Sequence, residues 1–211
     1  MIIHAVWGFT LVAAVLTVIP GIDTTLVLRT ALVHGRRRAA VTAFGVCAGL
    51  LIWGVAAAVG AAALLAASRM AYRMVSYAGI AYMVYLGGSM IVKSFRDRAV
   101  ESQDESETQH AGSLRAMFLT GAGTNVLNPK VGVFYIATIP QFIPAGVPAL
   151  PMGLLLACVH ALLSLTWFAI IIVGAYQAKQ WLSRPRALRI IDRVAGITII
   201  GFAGRLASEI H

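Results

Sequence analysis

The sequence predicts an all-α membrane protein of six spans, from its apolar composition, the lengths of its apolar stretches and the placement of its basic residues. Of 211 residues, 59% are hydrophobic and 12% are charged, whereas a soluble domain carries roughly 25% charged residues. Six apolar stretches are near or above the ~20 residues that a helix needs to cross a bilayer. Their predicted bounds are 3–32, 40–67, 72–92, 116–143, 151–176 and 190–207.

The first and fourth spans are each interrupted by a proline beside a charged residue. Pro20-Gly21 precedes Asp23, and Pro129 precedes Lys130. Proline removes a backbone donor and disturbs the preceding turn, and such irregular backbone is tolerated inside a bilayer only where protein or a water-filled cavity takes up the freed groups. An ionisable residue at that depth indicates a functional site by default. The two breaks therefore predict a path for a solute.

The second and third spans carry small residues at helical spacing. Gly45 and Gly49 form a GxxxG pattern that continues at Gly54, and the third span contains Gly87 and Gly88. Small residues let helix backbones approach closely. The stripe is suited either to packing within the bundle or to a dimer face, and we expect internal packing because a six-helix bundle needs such contacts. The sixth span is the weakest of the six, since charged residues crowd its ends.

Basic residues are distributed unevenly between the two predicted sides of the membrane. Twelve Lys and Arg follow the first, third and fifth spans, and three lie on the opposite side. Because cytoplasmic loops carry the excess of basic residues, those three connections are predicted to be cytoplasmic and both termini extracytoplasmic. This distribution accounts for the net charge of +9 without a nucleic-acid partner.

A polar, acidic segment divides the chain into two halves. We predict a first membrane half at 1–93, a cytoplasmic linker at 94–115 and a second membrane half at 116–211. The linker lacks the apolar residues that would let it pack by itself. Because each half has three spans, the halves enter the membrane from opposite sides, which predicts inverted repeats. In secondary transporters a pair of interrupted spans at corresponding places indicates the binding site.

Asp23 is the sharpest candidate for chemistry. A carboxylate inside a bilayer is a candidate proton carrier. Alternatively, Asp23 caps the helix that resumes after Pro20-Gly21, because aspartate is a favoured N-cap residue, and the two roles are compatible. We assign Asp23 to proton coupling and its neighbour Thr24 to substrate contact.

The second break supplies three further candidates. Lys130 is suited either to binding a substrate carboxylate or to compensating the charge of Asp23. Asn125 and Asn128, three residues apart on one helix face, offer amide donors and acceptors to a zwitterion, or else they satisfy the broken backbone. We assign Asn125, Asn128 and Lys130 to substrate binding, with the substrate carboxylate as the group that they engage.

His160 lies in the fifth span, with Ser164 and Trp167 on the same helix face. Histidine exchanges protons near neutral pH, which makes His160 a second candidate for proton coupling. The alternative is a hydrogen-bonded residue that only packs.

Several chemistries have no support in the sequence. There is no GxxxxGK[ST] loop, so ATP is not expected to supply energy, and no nucleophile or metal-ligand constellation points to an enzyme. Cys47 and Cys158 are predicted to be packing residues. We expect no cofactor and no metal. The functions that remain are a secondary transporter, a passive channel and a membrane subunit that transports nothing by itself.

Four segments carry motifs in a recognisable order. They are 20–29 (PGIDTTLVLR), 35–39 with 45–49, 78–82 with 85–87, and 124–130 (TNVLNPK) with 140–142. Together they resemble the LysE/RhtB family of bacterial amino-acid exporters, with Ile22 standing where the family signature has a second proline. The resemblance implies a six-span protein of the bacterial inner membrane that exports amino acids or their derivatives in exchange for protons. Its partners would be that small solute, protons and the lipid bilayer, and a homodimer is left open.

Overall fold

All secondary structure that the structure describes is helical, as predicted. The computed structural model describes residues 1–95, 113–175, 177 and 185–209, so most of the predicted linker at 94–115 lies outside the described residues. The elements are α1 (Ile2–Val18), α2 (Ile22–His34), α3 (Arg36–Ala67), α4 (Arg69–Phe95), α5 (Leu114–Val126), α6 (Pro129–Thr138), a 3₁₀ turn (Ile139–Phe142), α7 (Ala149–Val173) and α8 (Pro185–Glu209).

The break predicted at Pro20-Gly21 separates α1 from α2. Ile19 leaves the helical region, with φ −65° and ψ 115°, because a residue before proline is pushed towards extended backbone. The α2 helix then starts with Gly21 at its N-cap, and the two helices meet at an angle of 53°. The first predicted span is therefore a bent pair of helices.

The break predicted at Pro129 separates α5 from α6. Asn128 is the N-cap of α6, where its side-chain Oδ1 accepts a hydrogen bond from the backbone N–H of Lys130 at 3.1 Å. Pro129 occupies the first position of α6, where its missing N–H costs nothing because that donor has no partner within the helix. Both predicted breaks are thus confirmed, and the second is held by a side-chain cap.

Two helices are by themselves long and apolar enough to cross a membrane. These are α3, over Arg36–Ala63, and α7, while the bent pair of α1 and α2 makes a third candidate. Among the described residues α5 and α6 are only 13 and 10 residues long, and α8 carries charged residues through its first turns. Two or three of the six predicted spans therefore pass on length and apolarity alone.

The glycine stripe of α3 packs within the chain. A Cβ added to Gly45 would collide with the backbone carbonyl of Phe118 on α5, and one added to Gly54 would collide with the side chain of Ala157 on α7. The α3 helix is thus sandwiched between α5 and α7 at distances that only small residues permit. The expectation of internal packing is confirmed, and this stripe is covered by the chain itself.

A second close approach joins α4 to α8 through Gly87. A Cβ at Gly87 would lie 2.7 Å from the carbonyl oxygen of Gly196, whereas a Cβ at the adjacent Gly88 would have no described atom within 4 Å. We expect Gly87→Ala to lower the free energy of unfolding by about 1–3 kcal/mol through overpacking. Gly88→Ala is its matched control and is expected to be neutral or stabilising, because alanine is favoured over glycine in helices by up to about 1 kcal/mol.

The measurement is the unfolding midpoint of both purified variants in detergent. Equal midpoints for Gly87→Ala and Gly88→Ala would show that α4 and α8 do not pack as described.

Candidate functional site

The two breaks meet at the carboxylate of Asp23. Asp23 Oδ2 accepts hydrogen bonds from the side-chain Nδ2 of Asn125 at 2.9 Å and of Asn128 at 3.2 Å. Hydrogen bonds to a charged acceptor are stronger than those between neutral groups. The acid of one interrupted helix pair is therefore held by both amides of the other.

The local structure explains why these three side chains converge. Asp23 lies in the first turn of α2, Asn125 in the last turn of α5, and Asn128 at the N-cap of α6. An acid in the first turn also faces the positive end of the helix dipole. The α2 N-cap is Gly21, with no side-chain capping hydrogen bond, so the capping role considered for Asp23 is not the one that its carboxylate takes.

Two oxygen atoms of this network have no hydrogen-bond donor among the described residues. Asp23 Oδ1 and Asn125 Oδ1 are buried and make no hydrogen bond within the part of the chain that the structure describes. An unsatisfied buried polar atom is uncommon, and it indicates strain, a functional group or a missing partner such as water or an ion. The Oδ1 of Asn125 faces the backbone of Gly49 on α3, since a Cβ there would lie 2.6 Å from it.

Lys130 enters the site from the second position of α6. Its Nζ lies beside the α1–α2 break, 3.7 Å from where a Cβ of Gly21 would stand. Asp23 and Lys130 form no ion pair within 4.0 Å, but their charges attract each other across the site, so the charge compensation considered from sequence acts without a direct contact. The acid and the base occupy one site without contact between their charged groups.

These groups line a partly open cavity of about 40 Å³. A cavity needs roughly 10–15 Å³ to hold one water molecule. This cavity therefore has space for a few waters and is too small for an amino acid. All the predicted site residues border it except the two prolines, which shape the breaks: Gly21, Asp23, Thr24, Asn125, Asn128, Lys130 and His160.

His160 lines the same cavity from α7. Its Nδ1 is 3.0 Å from the hydroxyl of Tyr135, and the two rings stack with centroids 5.6 Å apart. The edges of Phe9 and Phe134 also contact the imidazole. His160 is thus a packed, hydrogen-bonded residue that also faces the cavity, so the geometry is compatible with both roles considered from sequence.

Sequence reasoning missed Tyr135 and Gly49. Tyr135 is fully buried, and its hydroxyl is the partner of His160. No short motif marks a tyrosine in an apolar run, although its position on α6, the helix that begins at Pro129, was a usable signal. Gly49 was predicted only as a packing residue, and its contact with Asn125 depends on how α3 and α5 are aligned.

The sequence matches a known protein family over nearly its whole length. The family description "LysE type translocator" matches residues 14–210, which includes both breaks and every residue of the site. The chain belongs to the LysE type translocator family. The resemblance proposed from the motifs is therefore confirmed over nearly the whole sequence.

Several curated relatives match this chain over more than nine-tenths of its length and of their own. An uncharacterized membrane protein, YrhP, of Bacillus subtilis is 29% identical over 94% of this chain and 96% of its own. A leucine efflux protein of Klebsiella pneumoniae is 28% identical over 93% and 91%. A homoserine/homoserine lactone efflux protein of Salmonella typhi is 28% identical over 97% of each. No solved structure matches.

Proposed function

We propose that this LysE type translocator exports amino acids or their derivatives from the cytoplasm across the bacterial inner membrane in exchange for protons. The observation that carries the proposal is the meeting of two broken helix pairs at an acid that borders a small cavity. Broken helices around a central site are typical of secondary transporters. Relatives named as leucine and homoserine efflux proteins support an amino-acid substrate, and the family description supports a transporter rather than an enzyme.

The proposed architecture is six spans in two inverted halves, 1–93 and 116–211, joined by the linker 94–115. One contact supports the arrangement of the ends. Arg36 Nη2 at the start of α3 donates to the carbonyl oxygen of Val173 at the end of α7, at 3.2 Å. These two ends therefore lie on one side, as the distribution of basic residues requires if that side is the cytoplasm. Both termini would then be extracytoplasmic.

In the proposed mechanism Asp23 and His160 exchange protons, while Thr24, Asn125, Asn128 and Lys130 surround the substrate. Because the cavity holds only a few waters, substrate enters only after the halves move apart on one side. The two breaks are suited to that motion because the hydrogen-bonded helix is interrupted at each proline. The α2 and α6 helices can therefore change their angle to α1 and α5. Alternating exposure to the two sides would couple inward proton flow to outward export.

The direct test is flux in proteoliposomes that contain only the purified protein. We expect saturable movement of labelled leucine or homoserine that depends on an imposed pH gradient. Flux that never saturates would indicate a passive channel. Absence of flux across a panel of amino acids, from protein shown to be folded, would indicate a membrane subunit without transport activity.

A further inference from the structure

We propose that the cavity, once the two halves have moved apart to admit a solute, binds its ligand between two separated charges, with the ligand's ammonium group at Asp23 Oδ1 and its carboxylate at Lys130 Nζ. The ligand class that fits is a zwitterion with one group of each charge and an uncharged side chain. This inference rests on the proposed function and specifies which substrates the same site accepts and in which orientation.

The first step concerns the amides. Asn125 and Asn128 were expected to bind a carboxylate, which requires N–H donors. Each directs its Nδ2 to Asp23 Oδ2, and the Oδ1 of Asn128 is occupied by the backbone N–H of Lys130. The two asparagines therefore hold Asp23 in place, which makes them positioning residues.

The second step concerns the acid. With Oδ2 occupied by two donors, Asp23 keeps Oδ1 buried and without a partner among the described residues. A carboxylate oxygen accepts hydrogen bonds and attracts positive charge. The group that complements it is a donor that carries positive charge, which in an amino acid is the ammonium group.

The third step concerns the base. Lys130 Nζ borders the same cavity beside Gly21, and the described residues offer it no hydrogen bond or ion pair. An ammonium group has three donors and no acceptor, so its complement is an anion. Because these opposite charges border one cavity without an ion pair, each can take the complementary group of a ligand that carries both charges after the cavity has widened.

The fourth step concerns what else lines the cavity. Among the described residues, the acidic and basic side chains in its lining are Asp23, Lys130 and His160. Much of the remaining wall is apolar: Leu16, Ile19, Val46, Leu50, Val131 and Phe168. Asp192, another buried acid, lies outside the lining. A ligand with a second ammonium or carboxylate group would leave that charge unpaired in a poorly solvated site, which is unfavourable. Lysine and glutamate should therefore be poor ligands.

The test is competition against bound, labelled leucine or homoserine on purified protein in detergent. Competitors are the unlabelled amino acid, its methyl ester, the acid that lacks the amino group (4-methylpentanoate for leucine), lysine and glutamate. For the wild type we expect the zwitterion to compete at least about tenfold more strongly than the other four. The methyl ester and 4-methylpentanoate each lose a hydrogen bond to a charged group, whereas lysine and glutamate each add an unpaired charge.

The decisive variant is Lys130→Met, with Lys130→Arg as the matched control. In Lys130→Met the amino acid and its methyl ester should compete equally, while discrimination against 4-methylpentanoate remains. Lys130→Arg should keep the wild-type preference because it keeps the charge. Lys130→Gln provides a second neutral variant if the methionine variant does not fold.

Two failures are distinguishable. If Lys130→Met still prefers the amino acid to its ester as strongly as the wild type, the proposed orientation is wrong even though amino acids bind. If the charge preferences appear as expected but reconstituted protein carries no amino acid, the orientation stands and the exporter function is wrong. Wild-type protein that binds no zwitterion overturns both.

Discussion

Replacing Asp23 with asparagine is expected to abolish proton-coupled transport while leaving the protein folded. Asparagine is nearly isosteric, and its Oδ1 can still accept from Asn125 and Asn128, which donate to Asp23 Oδ2 at 2.9 and 3.2 Å. It cannot bind and release a proton. A positioned proton-transfer group typically contributes 10²–10⁴-fold in rate, so we expect gradient-driven flux to fall by at least about 100-fold.

The measurement is substrate flux in proteoliposomes with and without an imposed pH gradient. Asp192→Asn is the matched control, because it makes the same change at a buried acid outside the cavity lining and is expected to keep gradient-dependent flux. Accumulation by Asp23→Asn that still follows the pH gradient would show that Asp23 does not carry the coupled proton.

The second large effect is expected from Gly49→Ala. A Cβ at Gly49 would lie 2.6 Å from Asn125 Oδ1 and 2.8 Å from Asn125 Cβ, closer than non-bonded atoms approach. The asparagine would have to move away from α3, and its Nδ2 would leave Asp23. We expect a loss of about 1–3 kcal/mol in stability from overpacking. We also expect a transport defect as severe as that of Asn125→Ala.

A double-mutant cycle separates positioning from packing. If Gly49 acts through the Asn125 amide, Gly49→Ala should add no further transport defect in an Asn125→Ala background. Alanine at position 125 keeps the Cβ that a Gly49→Ala side chain would collide with, so the stability loss should remain in the double variant. The quantity to compare is therefore the transport rate per folded protein. Gly54→Ala on the same helix, which collides with Ala157 of α7, should destabilise the protein with a transport effect independent of Asn125. Additive transport defects for Gly49 and Asn125 would contradict the account.

Much of the site was predictable because its features are local. Proline beside a charged residue within an apolar stretch predicted both breaks. The three-residue spacing of Asn125 and Asn128 predicted one shared helix face, which is wrong because α5 ends at Val126 and Asn128 is the N-cap of α6; their amides nevertheless reach the same acceptor. Small residues at helical spacing predicted close packing along α3. Each of these follows from properties of neighbouring residues, which a single sequence contains.

What was not predictable depends on how distant elements align. The sequence offered a substrate carboxylate as the partner of Asn125 and Asn128, whereas their donors point to Asp23, across more than a hundred residues of chain. The pairing of Tyr135 with His160 depends in the same way on α6 lying against α7. The packing of Asn125 against Gly49 depends on how α3 and α5 are aligned along their lengths, and no local sequence pattern encodes that alignment.

The central claim is that the protein exchanges an amino acid for protons, and its most direct test measures the movement of protons. Proteoliposomes without an initial pH gradient are loaded with leucine or homoserine, diluted into buffer that lacks the amino acid, and followed with a pH-sensitive dye inside. The account predicts that outward movement of the amino acid acidifies the interior with wild-type protein and leaves it unchanged with Asp23→Asn. Efflux of the labelled amino acid without acidification would contradict proton exchange.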